Sequence, residues 1–323
     1  MFSNLKSKST TKNLFSIAFY NLENLFDVTD DPKTFDDDFT PKGKLKWHTK
    51  RYNKKIKKLS SVIQQIGTDK SIYPPAIIGV AEIENKSVLN DLIYSKNLKE
   101  HHYEYVHYDS PDMRGIDVGL LYNKQLFELL SSEVFPLYLE GEDGDRDFTR
   151  DALLVNGNLN GEFVSIIVNH WPSRRKGTEE SEYKRIKASE LNRSIINQIQ
   201  EKNSEVKIIV MGDFNDNPTN NSILNLVKDD FFNPMQRLLS NGKGTLKYKE
   251  DWYLFDQIIF SKNFLNKNHE GHTFKSAEVF NPDFMKVFKG KNKGKPFRTY
   301  ISRWYQGGFS DHFPVYSFLE KRN

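Results

Sequence analysis

The sequence predicts an α/β fold, and three observations predict it. Short apolar runs rich in Val, Ile and aromatic residues recur along the chain, each about the length of a strand. Between them lie a few longer stretches whose apolar residues repeat every three to four positions, the mark of amphipathic helices. At 323 residues the chain exceeds the usual size of one domain, yet α/β and two-sheet cores often run that long. The expected organisation is a loose polar N-terminus over residues 1–13, then a single domain over 14–323.

Composition narrows the function classes. Lys plus Arg number 47 against 43 Asp plus Glu, a formal charge of +4. That mild excess suits a phosphate-bearing partner without requiring one. The absence of cysteine excludes disulfide scaffolds and thiolate metal centres. The N-terminal MFSNLKSKSTTKNLFS lacks an apolar stretch of signal-peptide length, and nothing later approaches a membrane span. A cytoplasmic protein without integral membrane association, and a monomer, is the expectation.

Taken in order, Leu14 to Tyr20 reads as a strand delivering Asn21 and Glu23; by residue type alone Asn21 is a turn or capping asparagine, and Glu23 structural. Asp27 to Lys46 is a loop of mixed charge. Its acidic cluster, Asp36 to Asp38, lacks the spacing of a calcium loop and reads as solvated. Ile56, Leu59, Val62, Ile63 and Ile66 place a helix over about Trp47 to Gly67, with lysines on its solvated face. Pro74-Pro75 precedes the strand Ile77 to Ala81, which leads into Glu82. Glu84 points to the same side, so either carboxylate is a candidate ligand. A helix follows through Leu92. His101 to Tyr108 alternates as a strand, and no carboxylate is spaced to partner its histidines. Asp109 to Gly115 is a turn before the strand Ile116 to Tyr122, and Glu140 to Asp151 an acidic loop.

Further on, Phe163 to Val168 leads into Asn169 and His170. Trp171-Pro172 then turns the chain into the basic loop Ser173 to Lys176. Helical spacing returns over Glu179 to Gln200 and again over Ser222 to Val227. Leu254 to Phe260 carries Asp256, a carboxylate expensive to bury without a partner, for which a histidine is the natural candidate. Met285 to Arg298, MKVFKGKNKGKPFR, is strongly basic: a solvated loop, or a segment steering an anionic substrate.

The stretch that organises the chain is Lys207 to Pro218, KIIVMGDFNDNP. Four apolar residues, Ile208 to Met211, make a buried strand that Gly212 cuts off. Asp213, Asn215 and Asp216 follow within four positions, where a rigid sheet edge meets an open loop. Asp and Asn are also common turn formers. What favours a site is repetition of the same grammar at Glu82, Asn169-His170, Asp256 and Ser310-Asp311-His312. Carboxylates and carboxamides converging on a sheet edge suit a hard cation such as Mg²⁺, with Mn²⁺ as an alternative. Two histidines add groups that move protons near neutral pH.

The motifs FYNLENLF, GVAEIEN, RGIDVGLLYN, FTRDALLV, VNHWPSRR, VMGDFNDNP, YLFDQIIF and FSDHFPV run over nearly the whole chain. In that order they resemble the endonuclease/exonuclease/phosphatase superfamily, the metal-dependent phosphodiesterases related to deoxyribonuclease I. The resemblance implies a four-layer α/β sandwich: two mostly antiparallel sheets face to face, flanked by helices. It implies a Mg²⁺-dependent phosphodiesterase, with Glu82, Asn21 and Asp311 as metal ligands and Asn21, Asn215 and Arg150 contacting the substrate phosphate. Arg114 and Asp117 fall where the family places groups on the leaving-group side. The catalytic group implied is His170, Asp213, Asn215, Asp256 and His312, with the general base either Asp213 or His312 and the carboxylate orienting His312 either Asp256 or Asp311. For Arg150, a buried pair with Asp151 is the competing reading. A nuclease acting on DNA is the first expectation. A phosphatase or phospholipase acting on inositol phosphates or sphingomyelin is the alternative, and a non-catalytic phosphate-binding module the reading from another class.

Overall fold

The computed structural model describes residues 13–141, 144–175, 177–267 and 270–322. The expected loose N-terminus, apart from its last residue, and Lys176 of the basic loop lie outside the described residues. In chain order the strands are β1 (Leu14–Leu25), β2 (Ile77–Ile83), β3 (Tyr103–His107), β4 (Asp117–Asn123), β5 (Phe127–Phe135), β6 (Leu139–Glu140), β7 (Arg146–Asp147), β8 (Ala152–Leu159) and β9 (Glu162–His170). They continue as β10 (Lys207–Asp213), β11 (Phe231–Phe232), β12 (Leu246–Tyr248), β13 (Asp251–Tyr253), β14 (Asp256–Ser261), β15 (Gly271–Val279), β16 (Tyr300–Ile301), β17 (Trp304–Tyr305) and β18 (Val315–Arg322). Among the described residues five α-helices join them: α1 (Thr49–Ile63), α2 (Lys86–Ile93), α3 (Glu182–Lys202), α4 (Asn221–Val227) and α5 (Met235–Ser240).

Two six-stranded sheets form, ordered β15-β18-β1-β2-β4-β3 and β11-β14-β10-β9-β8-β5. Each has one parallel pair, β1 with β2 and β9 with β10, and is otherwise antiparallel. The central strands are covered on both faces, so they read as continuous apolar runs without alternation. Between the sheets, Phe19 and Ile17 share a core with Ile209, Met211, Ile258 and Phe260, and the buried apolar residues of α1 and α2 complete it on the first sheet. Ala188, Ile195 and Ile196 of α3 and Ile223 and Leu226 of α4 pack with Ile167, Ile208 and Val210 of the second sheet. The four-layer sandwich is therefore present. Truncating one of the fully buried inter-sheet residues, such as Ile209, would cost about 2–5 kcal/mol. Gly79 is needed for the close approach of the layers, since a Cβ there would lie 2.6 Å from Met211 Sδ.

Strand directions decide where the chemistry goes. β1, β2, β9 and β10 end at the same edge of the sandwich at which β14 and β18 begin. In register Asp213 faces both His170 and Asp256, and Asn21 reaches across the sheets to Asp213. Asp256 thus opens its strand and does not lie within it as expected.

Two further expectations are corrected. α1 spans Thr49–Ile63, and Lys55 does not belong to its solvated face: it occupies the apolar stripe with Tyr52, Ile56 and Leu59 and is buried. In the acidic loop Asp36 is buried too, accepting the Asp31 backbone N–H. Among the described residues no helix is long and apolar enough to cross a membrane.

Candidate active site

The candidate side chains sit at strand ends or in the loops just beyond them, where the backbone leaves the ladder. Glu82 and Asn215 hold positive φ angles of 61° and 52°, conformations that cost a non-glycine residue roughly 1 kcal/mol or more and concentrate at functional sites. Gly212 has no such torsion; its role is proximity, because a Cβ would lie 2.4 Å from the Asn169 carbonyl oxygen. Asn169 is in turn locked by reciprocal amide bonds with Asn192 of α3 and accepts the Trp171 indole N–H. That pins the strand end bearing His170.

At the centre is Asp213. Its Oδ2 accepts from Asn21 Nδ2 at 3.0 Å and its Oδ1 from the Asn215 backbone N–H at 3.0 Å. His312 Nδ1 lies 2.7 Å from Asp256 Oδ2 and 4.0 Å from Asp213 Oδ2. On the other side His170 Nε2 lies 3.7 Å from Asp213 Oδ2 and 3.9 Å from Glu82 Oε1. Ser310 donates to the Asn21 carbonyl and accepts from the His312 backbone N–H, tying the start of β18 to β1. Of the two carboxylates open by sequence, Asp256 orients His312, whereas Asp311 pairs with Arg298 at 2.8 Å.

Charge is divided across this group. Burial, reinforced by repulsion from Asp256, pushes the Asp213 carboxyl up to about 6. Burial alone would lower His312, but the carboxylates of Asp256 and Asp213 outweigh it and hold the imidazole well above its ordinary range. His170 goes the other way: burial, and then the Arg150 and Arg114 guanidinium groups, hold it well below. Near pH 7 His312 is an imidazolium and His170 a neutral ring, an opposed pair made from one residue type.

Asp213, Asp256 and His312 bring potential ligand atoms within 4.8 Å of one another. An imidazole that bonds Asp256 through a protonated Nδ1 has no lone pair there for an ion, so this trio fits acid–base work better than metal binding. Glu82, Asp311 and Asn21, the expected cation ligands, carry the oxygen donors that a hard cation takes. Glu82 Oε2 accepts the Asn24 N–H while Oε1 faces His170, and both carboxylates act on Lys55 and Arg298.

Arg150 does not pair with Asp151. Its guanidinium donates to Asp112 Oδ2 and the Trp171 carbonyl, both at 2.8 Å, and Arg114 lies 3.6 Å from the same Asp112. Asn215 Nδ2 also donates to the Trp171 carbonyl. Asp117 holds His107 Nε2 at 2.9 Å and accepts the Ser110 N–H. His107 therefore has the carboxylate partner that linear spacing failed to show, supplied by the antiparallel pairing of β3 and β4.

Sequence reasoning missed a supporting layer. Glu23 accepts from Arg298 Nε and the Thr299 N–H, and Lys55 lies 3.6 Å from it while donating to the Glu23 carbonyl and Thr299 Oγ1. This buried cluster carries Arg298, which holds Asp311. The available signal was Lys55 at a stripe position of its helix; nothing in the sequence linked Glu23 to a residue 275 positions away.

No protein of curated function matches this sequence. Solved structures do match its fold. Zebrafish (D. rerio) TDP2 complexed with single-strand DNA product superposes with a TM-score of 0.59 at 13% identity, covering 96% of this chain and 100% of that one. An endonuclease/exonuclease/phosphatase family protein from Bacteroides thetaiotaomicron gives 0.61 at 15% identity, covering 97% and 99%. A mannosyl-6-phosphatase from the same species gives 0.58 at 16% identity, covering 94% and 99%. The sequence pattern of the Endonuclease/Exonuclease/phosphatase family matches residues 16–321, and the chain belongs to that family.

Proposed function

We propose that this protein is a Mg²⁺-dependent phosphodiesterase acting on DNA. The observation that carries the proposal is the buried His312–Asp256 pair at 2.7 Å beside Asp213, on the edge that also bears Glu82 and His170. Hydrolysis of a phosphodiester needs an activated water, neutralisation of charge on the non-bridging oxygens and assistance to the departing oxygen.

Asp213, ionised above about pH 6, accepts the proton of the attacking water while Asn21 and the Asn215 N–H fix its orientation. His312, charged and held by Asp256, donates from its free Nε2 to a non-bridging oxygen. Neutral His170 stands on the opposite side, with Arg114 as the guanidinium less committed to protein partners and Arg150 fixed behind it on Asp112. Glu82, Asp311 and Asn21 would hold a divalent ion, which when bound would supply Lewis-acid neutralisation of the phosphate.

The likeness to a TDP2 crystallised with a DNA product favours nucleic acid; the likeness to a sugar-phosphate phosphatase favours a phosphomonoester as the second reading. The test is a panel of plasmid, abasic duplex, single-stranded oligonucleotide, RNA, inositol phosphates, a hexose 6-phosphate and sphingomyelin, each with Mg²⁺ and with chelator. Chelator-sensitive cleavage of DNA supports the first reading, and release of phosphate from the monoesters alone supports the second. No turnover of any member with Mg²⁺, Mn²⁺ or Ca²⁺ would leave a phosphate-binding module.

A further inference from the structure

The basic run after Met285, expected as a solvated loop or a steering segment, is largely exposed but closed on itself. It folds back on itself through Val287 N–H to the Lys295 carbonyl and Gly294 N–H to the Val287 carbonyl, turning at Gly290 and Gly294, with positive φ angles of 80° and 85°. Opposite it stands the β12–β13 hairpin, and Lys295 Nζ donates to the Lys249 carbonyl at 3.0 Å, joining the two walls. Between them lies a pocket of about 450 Å³ that reaches Asp311 and Arg298 at the candidate active site.

Lys247, Lys249, Lys289, Lys291 and Lys295 all line this pocket. Among the described residues Lys247 has only the exposed Glu250, at 3.4 Å, and Asp311 is already paired with Arg298. Lys249, Lys289, Lys291 and Lys295 have no carboxylate partner among the described residues. Like charges gathered in a concavity without counter-charges raise a positive potential that an anion relieves. Tyr248, 63% exposed, also lines the pocket, with the Lys249 ammonium 5.6 Å from its ring centre. An aromatic face beside cations suits a phosphate attached to a flat or cyclic group.

We propose that this pocket is a second anion subsite, holding a phosphate of the substrate next to the one being cleaved, so that preferred substrates carry at least two phosphates. The proposal rests on the phosphoester-hydrolase reading for its location at Asp311, and a binding measurement separates the two. The second phosphate belongs either to a nucleic-acid strand or to a polyphosphorylated small molecule.

The experiment compares wild type with Lys249→Gln/Lys289→Gln/Lys291→Gln and with the corresponding triple arginine variant. The first readout is kcat/KM for a single-stranded oligonucleotide and for an inositol polyphosphate, each as a ratio to bis(p-nitrophenyl) phosphate, which has one phosphate. The second is calorimetric binding of inorganic triphosphate in chelator, which needs no turnover. We expect the ratio to fall at least tenfold in the glutamine variant, chiefly through KM, for whichever substrate supplies the second phosphate, and triphosphate binding to weaken at least tenfold. The arginine variant should retain both. For a strand substrate the log–log salt slope should become shallower by about 0.7, the value for one single-strand phosphate contact. Unchanged ratios for both polyphosphorylated substrates, or triphosphate binding equal in wild type and the glutamine variant, overturns the subsite. Loss of triphosphate binding in the variant, from a protein that hydrolyses nothing, upholds the subsite and removes the hydrolase reading.

Discussion

The two ends of the sandwich each hold a buried histidine against a carboxylate at 2.7 Å, and they do opposite things. At the end away from the strand-terminal cluster, Glu162 receives Lys207 Nζ on Oε1 and both the backbone and Nδ1 of His272 on Oε2. Both of its oxygens are satisfied. Although burial opposes it, the His272 and Lys207 bonds bring the Glu162 carboxyl down to about 2, and the group clasps the start of β9 to β15 of the other sheet. At the other end satisfaction is incomplete. Asp256 Oδ1 and His170 Nδ1 are buried without a partner, Asp213 rises to about 6, and Glu82 and Asn215 carry backbone strain. A histidine–carboxylate pair is therefore not by itself a catalytic signature. His272 Nε2 at the clasp is also buried without a partner, so the features that set the candidate edge apart are its strained non-glycine strand ends and a carboxyl pushed up instead of down.

Replacements at each end break or sharpen this contrast. The largest effect is expected from His312→Ala, which should lower turnover of bis(p-nitrophenyl) phosphate by about 10³-fold or more while leaving the circular dichroism spectrum unchanged. Asp256→Asn, which leaves the ring in place, should cost less, about 10²-fold or more. Removing that carboxylate takes away the main influence raising His312, so the imidazole loses its proton at lower pH, and the high-pH limb of the rate profile should move to lower pH.

A subtler effect is the low-pH limb itself. With Asp213 as the proposed base, able to take a proton only when ionised, kcat/KM should fall as pH drops through about 6, and that limb should vanish in Asp213→Asn together with most of the activity. The smallest effect belongs to the clasp. Glu162 has its folded-state carboxyl below its ordinary value, so the stability it contributes is present above about pH 4.5 and is lost as pH falls towards 2. Glu162→Gln should cost about 1–2 kcal/mol at pH 7 by urea unfolding, flatten the acid side of the stability curve, and leave turnover unaltered.

Much of the fold was legible because each central strand is a continuous apolar run and each long helix has a stripe. The strand-terminal residues were legible because an abrupt change from Val and Ile to Asp, Asn or His survives in one dimension. Partnerships were not. Asp112 beneath Arg150, Asp117 beneath His107 and Glu23 beneath Arg298 are joined by sheet pairing and loop return, which leave no trace in linear spacing. Lys55 was hidden by its neighbours, since a buried lysine among five other basic residues, Lys50, Arg51, Lys54, Lys57 and Lys58, looks like one more member of a solvated face. The lysine run after Met285 was visible as charge, but its closure into a walled pocket depends on the β12–β13 hairpin forty residues earlier.

The most direct test of the contrast between the two ends is the Mg²⁺-dependent release of nitrophenolate from bis(p-nitrophenyl) phosphate by three proteins: wild type, Asp213→Asn and Glu162→Gln. Wild type and Glu162→Gln should turn over alike and stop in chelator, with Asp213→Asn slower by about 10³-fold. Equal rates for Asp213→Asn and wild type, or a loss in Glu162→Gln as deep as that in Asp213→Asn, would contradict the assignment of catalysis to the Asp213 edge.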